Sequence, residues 1–273
     1  MNQETEEEPI LQTIAEPLQQ VLQQAAALAL KKDTKSPAKT LPFRPSNRQP
    51  LATLTILNDE SREEGETVYI RNSRIVIGRE KGDVTIPFDV DISGQHAELR
   101  CQRHKGKFRW YLRDLSSTNG TFVRGFRASL SRETELMIGS RRYLFQLPNH
   151  LDDRDETQPL QTQAFQSPSP TMMENFQPRL VETGTKKKSA HSFSIAGNEA
   201  SIGGNADCEI VIDNDPFLSP QHARLYQDER GRWMIDDRKS LNGVWIRIKR
   251  MALDQKAEFQ LGQQRFRFQP NQT

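Results

Sequence analysis

The chain has 273 residues, of which 34% are hydrophobic and 27% are charged, and its mean hydropathy is -0.76. This composition is too polar for one compact globule and predicts folded domains separated by polar linkers. The 38 basic and 36 acidic residues leave a net charge of +2. A balance so close to neutral argues against a dedicated nucleic-acid-binding protein.

The apolar runs and the cysteines exclude further classes. No run is long enough for a transmembrane helix, and the acidic N-terminus does not resemble a secretory signal. Cys101 and Cys208 lie far apart, so the sequence contains neither a disulfide framework nor a zinc-binding cluster. We expect a cytoplasmic protein, of a bacterial type, without a membrane span, a metal or a cofactor.

Residues 1–32 carry apolar side chains at spacings of three and four. These are Leu11, Ile14, Leu18, Leu22, Ala25 and Leu28. The spacing predicts an amphipathic helix, and a segment that is disordered by itself is the alternative. If it forms, the helix would serve for docking or as the contact of a homodimer. Residues 33–50, with several prolines and basic residues, are predicted to be a linker.

Residues 51–148 contain short runs rich in Val, Ile, Thr, Tyr and Phe, separated by turn residues. Several runs approach two-residue alternation, and the intervals between them are too short for a crossover helix. Residues 149–179 are polar and are predicted to form a disordered linker, after which residues 180–270 resume the strand pattern. The predicted fold class is all-β, with two antiparallel β-sandwiches joined by a polar linker.

The second strand-rich segment repeats the first. Six residues of the first segment recur in the same order: Gly78, Ser93, His96, Trp110, Asn119 and Gly139 match Gly203, Ser219, His222, Trp233, Asn242 and Gly262. The offset stays between 123 and 126 residues. Because composition alone does not produce so constant an offset, the segments are two copies of one domain.

Three motifs in the first copy carry a family resemblance. They are Ile77-Gly78-Arg79, Ser93-Gly94-Gln95-His96 and Asp114-Leu115-Ser116-Ser117-Thr118-Asn119-Gly120-Thr121. In this order they resemble the signature of forkhead-associated (FHA) domains, and the resemblance extends over both copies. It implies a β-sandwich whose loops at one end bind phosphothreonine peptides.

The resemblance also implies a role for four residues of the first copy. Arg79 and Ser93 would hold the phosphate, Thr118 would assist, and Asn119 would hold the peptide main chain. The chemistry fits, since a phosphothreonine carries about -1.5 to -2 charges and three acceptor oxygens. The guanidinium group of Arg79 is a planar fork that can donate to two phosphate oxygens at once.

Other positions of the first copy brace or modify this site. By the resemblance, His96, Gly78 and Gly120 brace the loops and do not contact the peptide. Gly94 lacks the longer side chain that many relatives place after the serine, which suggests a looser hold on the phosphate. Asp91 lies in a loop that in relatives helps to select the residue three positions after the phosphothreonine, so we expect a basic residue to be tolerated or preferred there.

The second copy keeps the loop residues but lacks the cation. Gly204 stands at the position of Arg79, Leu241 replaces Thr118, and Pro220 follows Ser219. Without a counter-charge, a phosphate dianion would exchange its hydration for a few neutral donors, which is strongly unfavourable. We therefore predict that the second copy does not bind phosphothreonine and serves for docking or as a scaffold. Arg224 or Arg238 could replace the missing cation from another direction.

The resulting functional hypothesis is a non-catalytic adaptor in Ser/Thr kinase signalling, which binds a phosphothreonine protein through the first copy. A phosphorylation-independent scaffold is the alternative. Thr5 and Thr157, both in acidic sequences, could become phosphorylated and bind to the chain's own site. Ser93, His96 and Asp114 lack a nucleophile-elbow motif, so a hydrolytic enzyme is not expected.

Overall fold

A computed structural model describes residues 49–58, 65–148, 177–183 and 191–271. All regular structure in this part of the chain is β, which confirms the predicted fold class. The predicted N-terminal helix, Thr5, Thr157 and most of both predicted linkers lie outside the described residues. No helix in the described ranges is long and apolar enough to cross a membrane.

The first segment contributes ten strands: β1 (Ala52–Leu57), β2 (Gly65–Ile70), β3 (Arg74–Gly78), β4 (Val84–Thr85), β5 (Ala97–His104), β6 (Lys107–Asp114), β7 (Thr121–Gly125), β8 (Arg127–Ser129), β9 (Glu133–Ile138) and β10 (Arg141–Gln146). The second contributes ten more: β11 (Arg179–Thr183), β12 (Ser192–Ser194), β13 (Glu199–Gly203), β14 (Ile210–Val211), β15 (Ala223–Gln227), β16 (Trp233–Asp237), β17 (Val244–Ile248), β18 (Arg250–Leu253), β19 (Ala257–Leu261) and β20 (Gln264–Pro270).

The strands form one ten-stranded sheet and two five-stranded sheets. The order in the large sheet is β12-β11-β10-β9-β17-β7-β19-β20-β1-β2, and the small sheets have the orders β14-β13-β15-β16-β8 and β18-β6-β5-β3-β4. The buried side chains fall into two large clusters, and each cluster contains residues from one half of the large sheet and from one small sheet. Each half of the large sheet therefore packs on one small sheet. The result is two β-sandwiches that share a continuous sheet.

The two sandwiches exchange strands. Strands β1 to β7 form the first sandwich together with β18 to β20, and strands β8 to β17 form the second. Each segment that was expected to form its own sandwich, 51–148 and 180–270, therefore supplies strands to both. The division by sequence describes the repeat and not the two sandwiches.

The exchange takes place at two crossovers of one residue each. Phe126 separates β7 in the first sandwich from β8 in the second, and Lys249 separates β17 from β18 in the opposite direction. One main-chain hydrogen bond holds each crossover: the Lys249 carbonyl accepts from Asp114 N at 3.0 Å, and the Phe126 carbonyl accepts from Asp237 N at 2.9 Å. Each crossover residue thus accepts a hydrogen bond from the sandwich that the chain enters.

Strands β7 and β17 lie at the centre of the exchange and pair antiparallel, with Val123 opposite Ile246. The surrounding ion pairs repeat across this pairing. Arg124 pairs with Glu258 at 3.1 Å, and Arg247 pairs with Glu135 at 2.5 Å. Because each partner is 123 residues from its counterpart, the two halves are related by an approximate two-fold axis.

An aromatic pair at the centre of each sandwich joins residues from different segments. Trp110 packs edge-on against Phe268 with ring centroids 5.3 Å apart, and Trp233 packs against Phe145 at 5.8 Å. The phenylalanines alternate with exposed or half-buried residues along β10 and β20, as the sequence pattern predicts for strands with one buried face. Both are fully buried, so the exchanged strands are part of the cores.

Candidate functional site

The loops at one end of the first sandwich bring together the four residues named from the sequence, which we call the first site: Arg79, Ser93, Thr118 and Asn119. Arg79 follows β3, Ser93 lies between β4 and β5, and the other two lie between β6 and β7. The Arg79 main-chain N–H donates to the Ser93 carbonyl at 3.0 Å. The Thr118 N–H donates to Ser93 Oγ at 3.1 Å, so all three loops meet at Ser93.

The guanidinium group of Arg79 lies over the β4–β5 loop. Its side chain is 33% exposed and forms an ion pair with the Glu80 carboxylate at 2.8 Å. It also donates to the Val90 carbonyl, at 3.4 Å. Exposed ion pairs of this kind contribute about 0–1 kcal/mol. A phosphate dianion can therefore displace the Glu80 carboxylate at little cost and accept hydrogen bonds from the guanidinium group.

The hydroxyl groups of the first site have donors to offer. Ser93 Oγ accepts from the Thr118 main chain, and a hydroxyl that accepts one hydrogen bond still carries its own hydrogen as a donor. The Thr118 residue is exposed. The first site thus presents one cation and two hydroxyl groups on one surface, which matches the acceptors of a phosphate group.

Asn119 connects two loops. Its side-chain amide nitrogen donates to the Asp91 carbonyl at 2.9 Å and to a carboxylate oxygen of Asp91 at 3.3 Å. The resemblance assigns Asn119 to the peptide main chain; the structure places part of its amide group on the β4–β5 loop. The preference of Asp91 for a basic peptide residue stays a prediction, and its carboxylate is already engaged by an amide.

His96 is fully buried beneath the loops and bonds main-chain groups at both ring nitrogens. Nδ1 accepts from the Ser93 N–H at 3.1 Å, so the ring proton is on Nε2, which donates to the Gly120 carbonyl at 3.1 Å. Burial lowers the pKa of His96 below its ordinary value. A neutral ring held in this way braces the loops, and it does not activate the Ser93 hydroxyl.

Two glycines allow the loops to approach each other. A side chain on Gly78 would overlap the Gly94 carbonyl, so the end of β3 can lie directly against the β4–β5 loop. Gly120 has a φ of 80° and faces the Arg247 side chain, which comes from the other segment of the chain. Asp114 supports the same region by accepting hydrogen bonds from Ser117 and Thr121.

The equivalent loops of the second sandwich repeat this framework; we call Gly204, Ser219, Leu241 and Asn242 the second site. Ser219 N–H donates to His222 Nδ1 at 3.1 Å, and Nε2 of that ring donates to the Gly243 carbonyl at 3.0 Å. The Leu241 N–H donates to Ser219 Oγ at 3.0 Å. Burial lowers the pKa of His222 as it does for His96.

Near the second site, apolar side chains stand at the positions where the first sandwich carries Asp91 and Thr118. Leu241 is 70% exposed and Phe217 is 54% exposed. A methyl group of Leu218 lies 3.9 Å from the position where a side chain on Gly204 would begin. Arg224, considered from the sequence as a replacement cation, lies on β15 in an ion pair with Glu199 and over the ring of Tyr226.

One contact to the first site could not be identified from the sequence. The side-chain amide of Gln263, in the turn between β19 and β20, donates to the Asp91 carboxylate at 2.8 Å. In the repeat, Gln263 corresponds to Ser140 and so would be assigned to the second copy. The strand exchange brings it to the first site instead.

A family profile described as the FHA domain matches residues 75–141 and residues 200–264. The chain carries two FHA domains. FHA domains are phosphopeptide-binding modules that use arginine-containing loops. Gly204 and Leu241 therefore stand at positions where the first FHA domain carries the cation and a hydroxyl group.

Solved structures similar to parts of the chain include two named proteins. Full-length yeast Pml1p is 24% identical over 27% of this chain and 56% of its own, with a TM-score of 0.25. Mycobacterium tuberculosis EmbR, in complex with a low-affinity phosphopeptide, is 26% identical over 31% of this chain and 23% of its own, with a TM-score of 0.20. The chain thus spans little more than half of the yeast protein and about a quarter of EmbR. Among curated proteins, no sequence matched.

Proposed function

We propose that the protein is a non-catalytic adaptor in Ser/Thr kinase signalling, and that its first FHA domain binds phosphothreonine proteins. The observation that carries this proposal is that Arg79, Ser93 and Thr118 lie together at one end of the first sandwich. Their loops are joined by hydrogen bonds of 3.0–3.1 Å. The partly exposed guanidinium group supplies the counter-charge that a dianion requires, and the hydroxyl groups supply further donors.

The experiment uses the full chain and a phosphothreonine peptide chosen from an oriented peptide array. Calorimetric titration with this peptide should give a dissociation constant that Arg79→Ala weakens by roughly tenfold to a hundredfold, since a hydrogen bond to a charged group contributes about 1.5–3 kcal/mol. Arg71→Ala, on the turn before β3, is the matched control. Equal binding by Arg79→Ala and the parent protein, or equal binding of the unphosphorylated peptide, would refute the proposal.

The second FHA domain has a different proposed role, which is phosphorylation-independent docking or support of the first. The exposed Phe217 and Leu241 favour docking over anion binding, because an apolar surface cannot compensate the lost hydration of a phosphate. Replacing Leu241 by Ser should then leave phosphopeptide binding unchanged and weaken the binding of a phosphorylation-independent partner. A loss of phosphopeptide binding in this variant would contradict the division of roles.

The phosphorylated partner could also be the chain itself. Thr5 and Thr157 lie in acidic sequences, and a tethered segment can reach millimolar effective concentration, so weak recognition would suffice. After treatment with a Ser/Thr kinase, the parent protein should bind an external phosphopeptide less well than Thr5→Ala/Thr157→Ala. Identical binding would eliminate self-recognition and leave the adaptor proposal intact.

Dimerisation through residues 1–32 remains a separate proposal, tested by sedimentation of a chain lacking them.

A further inference from the structure

The turn between β19 and β20 lies against the loop that carries Ser93, although the two are far apart in sequence. The main-chain N–H groups of Gln263 and Gln264 donate to the same carboxylate oxygen of Asp89, at 2.7 and 3.2 Å. A side chain on Gly262 would come close to this carboxylate, at 2.6 Å. The turn therefore closes on Asp89 at the base of the β4–β5 loop.

The side chain of Gln263 extends the contact towards the first site. Its amide nitrogen donates to Oδ2 of Asp91 at 2.8 Å, while Oδ1 of Asp91 accepts from Asn119 at 3.3 Å. The Asp91 carbonyl accepts from the same Asn119 amide at 2.9 Å. A continuous series of hydrogen bonds thus runs from Gln263 through Asp91 to Asn119.

The second sandwich has the turn without this extension. There the main-chain N–H of Ser140, which corresponds to Gln263, donates to Asp215 at 2.8 Å. The residue corresponding to Asp91 is Phe217, which has no carboxylate, and Asn242 donates to its carbonyl at 2.8 Å. The contact between turn and loop is common to both sandwiches, whereas the series through a carboxylate is a property of the first.

We propose that Gln263 is a positioning residue of the phosphothreonine site, contributed by the second copy through the strand exchange. This inference rests on the function proposed above. The amide of Gln263 holds the Asp91 carboxylate, which also accepts a hydrogen bond from Asn119. Its hydrogen bond also partly neutralises the negative charge of Asp91 near a site proposed to bind a dianion. The first site is complete only when β19 and β20 are in place.

The test is calorimetric titration of the full chain with the phosphothreonine peptide selected on the array. Gln263→Ala keeps the main-chain hydrogen bond to Asp89 and removes only the amide. We expect about threefold to tenfold weaker binding. The acceptor of the lost hydrogen bond is a charged carboxylate, but the bond lies near solvent, which reduces its contribution. Gln263→Glu, which sets a carboxylate against Asp91, should weaken binding further. Ser140→Ala, at the matching position, should leave it unchanged.

Two further measurements separate positioning from general stability. The side-chain amide signals of Asn119 in NMR spectra should shift in Gln263→Ala and stay in place in Ser140→Ala. In a double-mutant cycle, Gln263→Ala should have little additional effect once Asp91 is replaced by Ala, which removes the side-chain acceptor. Additive effects in this cycle, unchanged Asn119 signals, or equal losses for Gln263→Ala and Ser140→Ala would each overturn the proposal.

Failure of this proposal is distinguishable from failure of the proposed function. If Arg79→Ala weakens binding as expected and Gln263→Ala binds like the parent protein, the site is a phosphothreonine site that does not depend on Gln263. If Arg79→Ala also binds like the parent protein, the phosphothreonine site itself is refuted. Equal melting temperatures of Gln263→Ala and the parent protein confirm that the fold is intact, and the Glu variant repeats the test with a side chain of the same size.

Discussion

The loops at the ends of the two sandwiches are built alike and present different surfaces. Each contains a buried histidine that joins a serine N–H to a glycine carbonyl, His96 in one and His222 in the other, with distances that agree within 0.1 Å. Above this shared framework, one surface carries Arg79 and the other Gly204. The framework is therefore common to both copies, and the two surfaces differ in a few side chains placed on it.

A second difference concerns where the parts of each site originate. The turn that closes on the first site belongs to the second copy, and the turn that closes on the second site belongs to the first.

The largest expected effect comes from the exchanged cores. Phe268→Ala should lower the free energy of unfolding by about 3–5 kcal/mol, since a buried aromatic side chain is lost, and Phe145→Ala should do the same. The indole NMR signal of Trp110 should shift in Phe268→Ala and that of Trp233 in Phe145→Ala, because these are the rings in contact. The opposite pairing of signals would mean that the strands are not exchanged in solution.

The second site should acquire phosphate binding when its two missing side chains are supplied. In an Arg79→Ala background, Gly204→Arg with Leu241→Thr should bind a phosphothreonine peptide at least about tenfold more tightly than the background alone. A Cβ atom at Gly204 would meet its nearest neighbour, a methyl group of Leu218, at 3.9 Å, so a side chain can begin there without a clash. Calorimetry measures the gain. If none occurs, the framework shared by the two sites is insufficient for binding.

A smaller effect is expected from the carboxylate that pairs with Arg79. Glu80→Gln removes an exposed competitor and should tighten phosphopeptide binding by about twofold to fivefold. The gain should decrease as salt is added, since exposed charges are screened. Glu66→Gln, at an exposed position on β2, serves as the control. Weaker binding after Glu80→Gln would show that the carboxylate orients the guanidinium group instead of competing with phosphate.

The smallest effect is a dependence on pH that both sandwiches should share. Burial lowers the pKa of His96 and His222 in the folded chain, so the unfolded chain binds more protons at acidic pH. The stability is fully present above the unfolded pKa of about 6.5 and is lost as the pH falls through the folded values. Denaturation at pH 7 and pH 5 measures the difference, and NMR titration of the two rings assigns it. A ring that titrates above 6.5 would contradict the assignment.

Much of the fold could be predicted from the sequence, because alternating apolar residues specify strands and the repeat specifies two similar sandwiches. The structure also brings together the four residues of the first site, since motifs at fixed spacing occupy loops at the same end of a sandwich. Glu80 as the partner of Arg79 and Asp91 as the partner of Asn119 were not anticipated. These contacts depend on loop conformations that no periodic pattern encodes.

The sequence by itself determined the strands, the duplication, and the loss of the cation at Gly204, because each follows from local residue patterns or from a comparison of matching positions. Only the tertiary structure decided which strands complete which sandwich. Phe145 and Phe268 occupy matching positions in the repeat, so their strands present the same apolar pattern and either sandwich could accept either strand. The choice is made by the crossovers at Phe126 and Lys249 and by the pairing of β7 with β17, and these are contacts between distant parts of the chain.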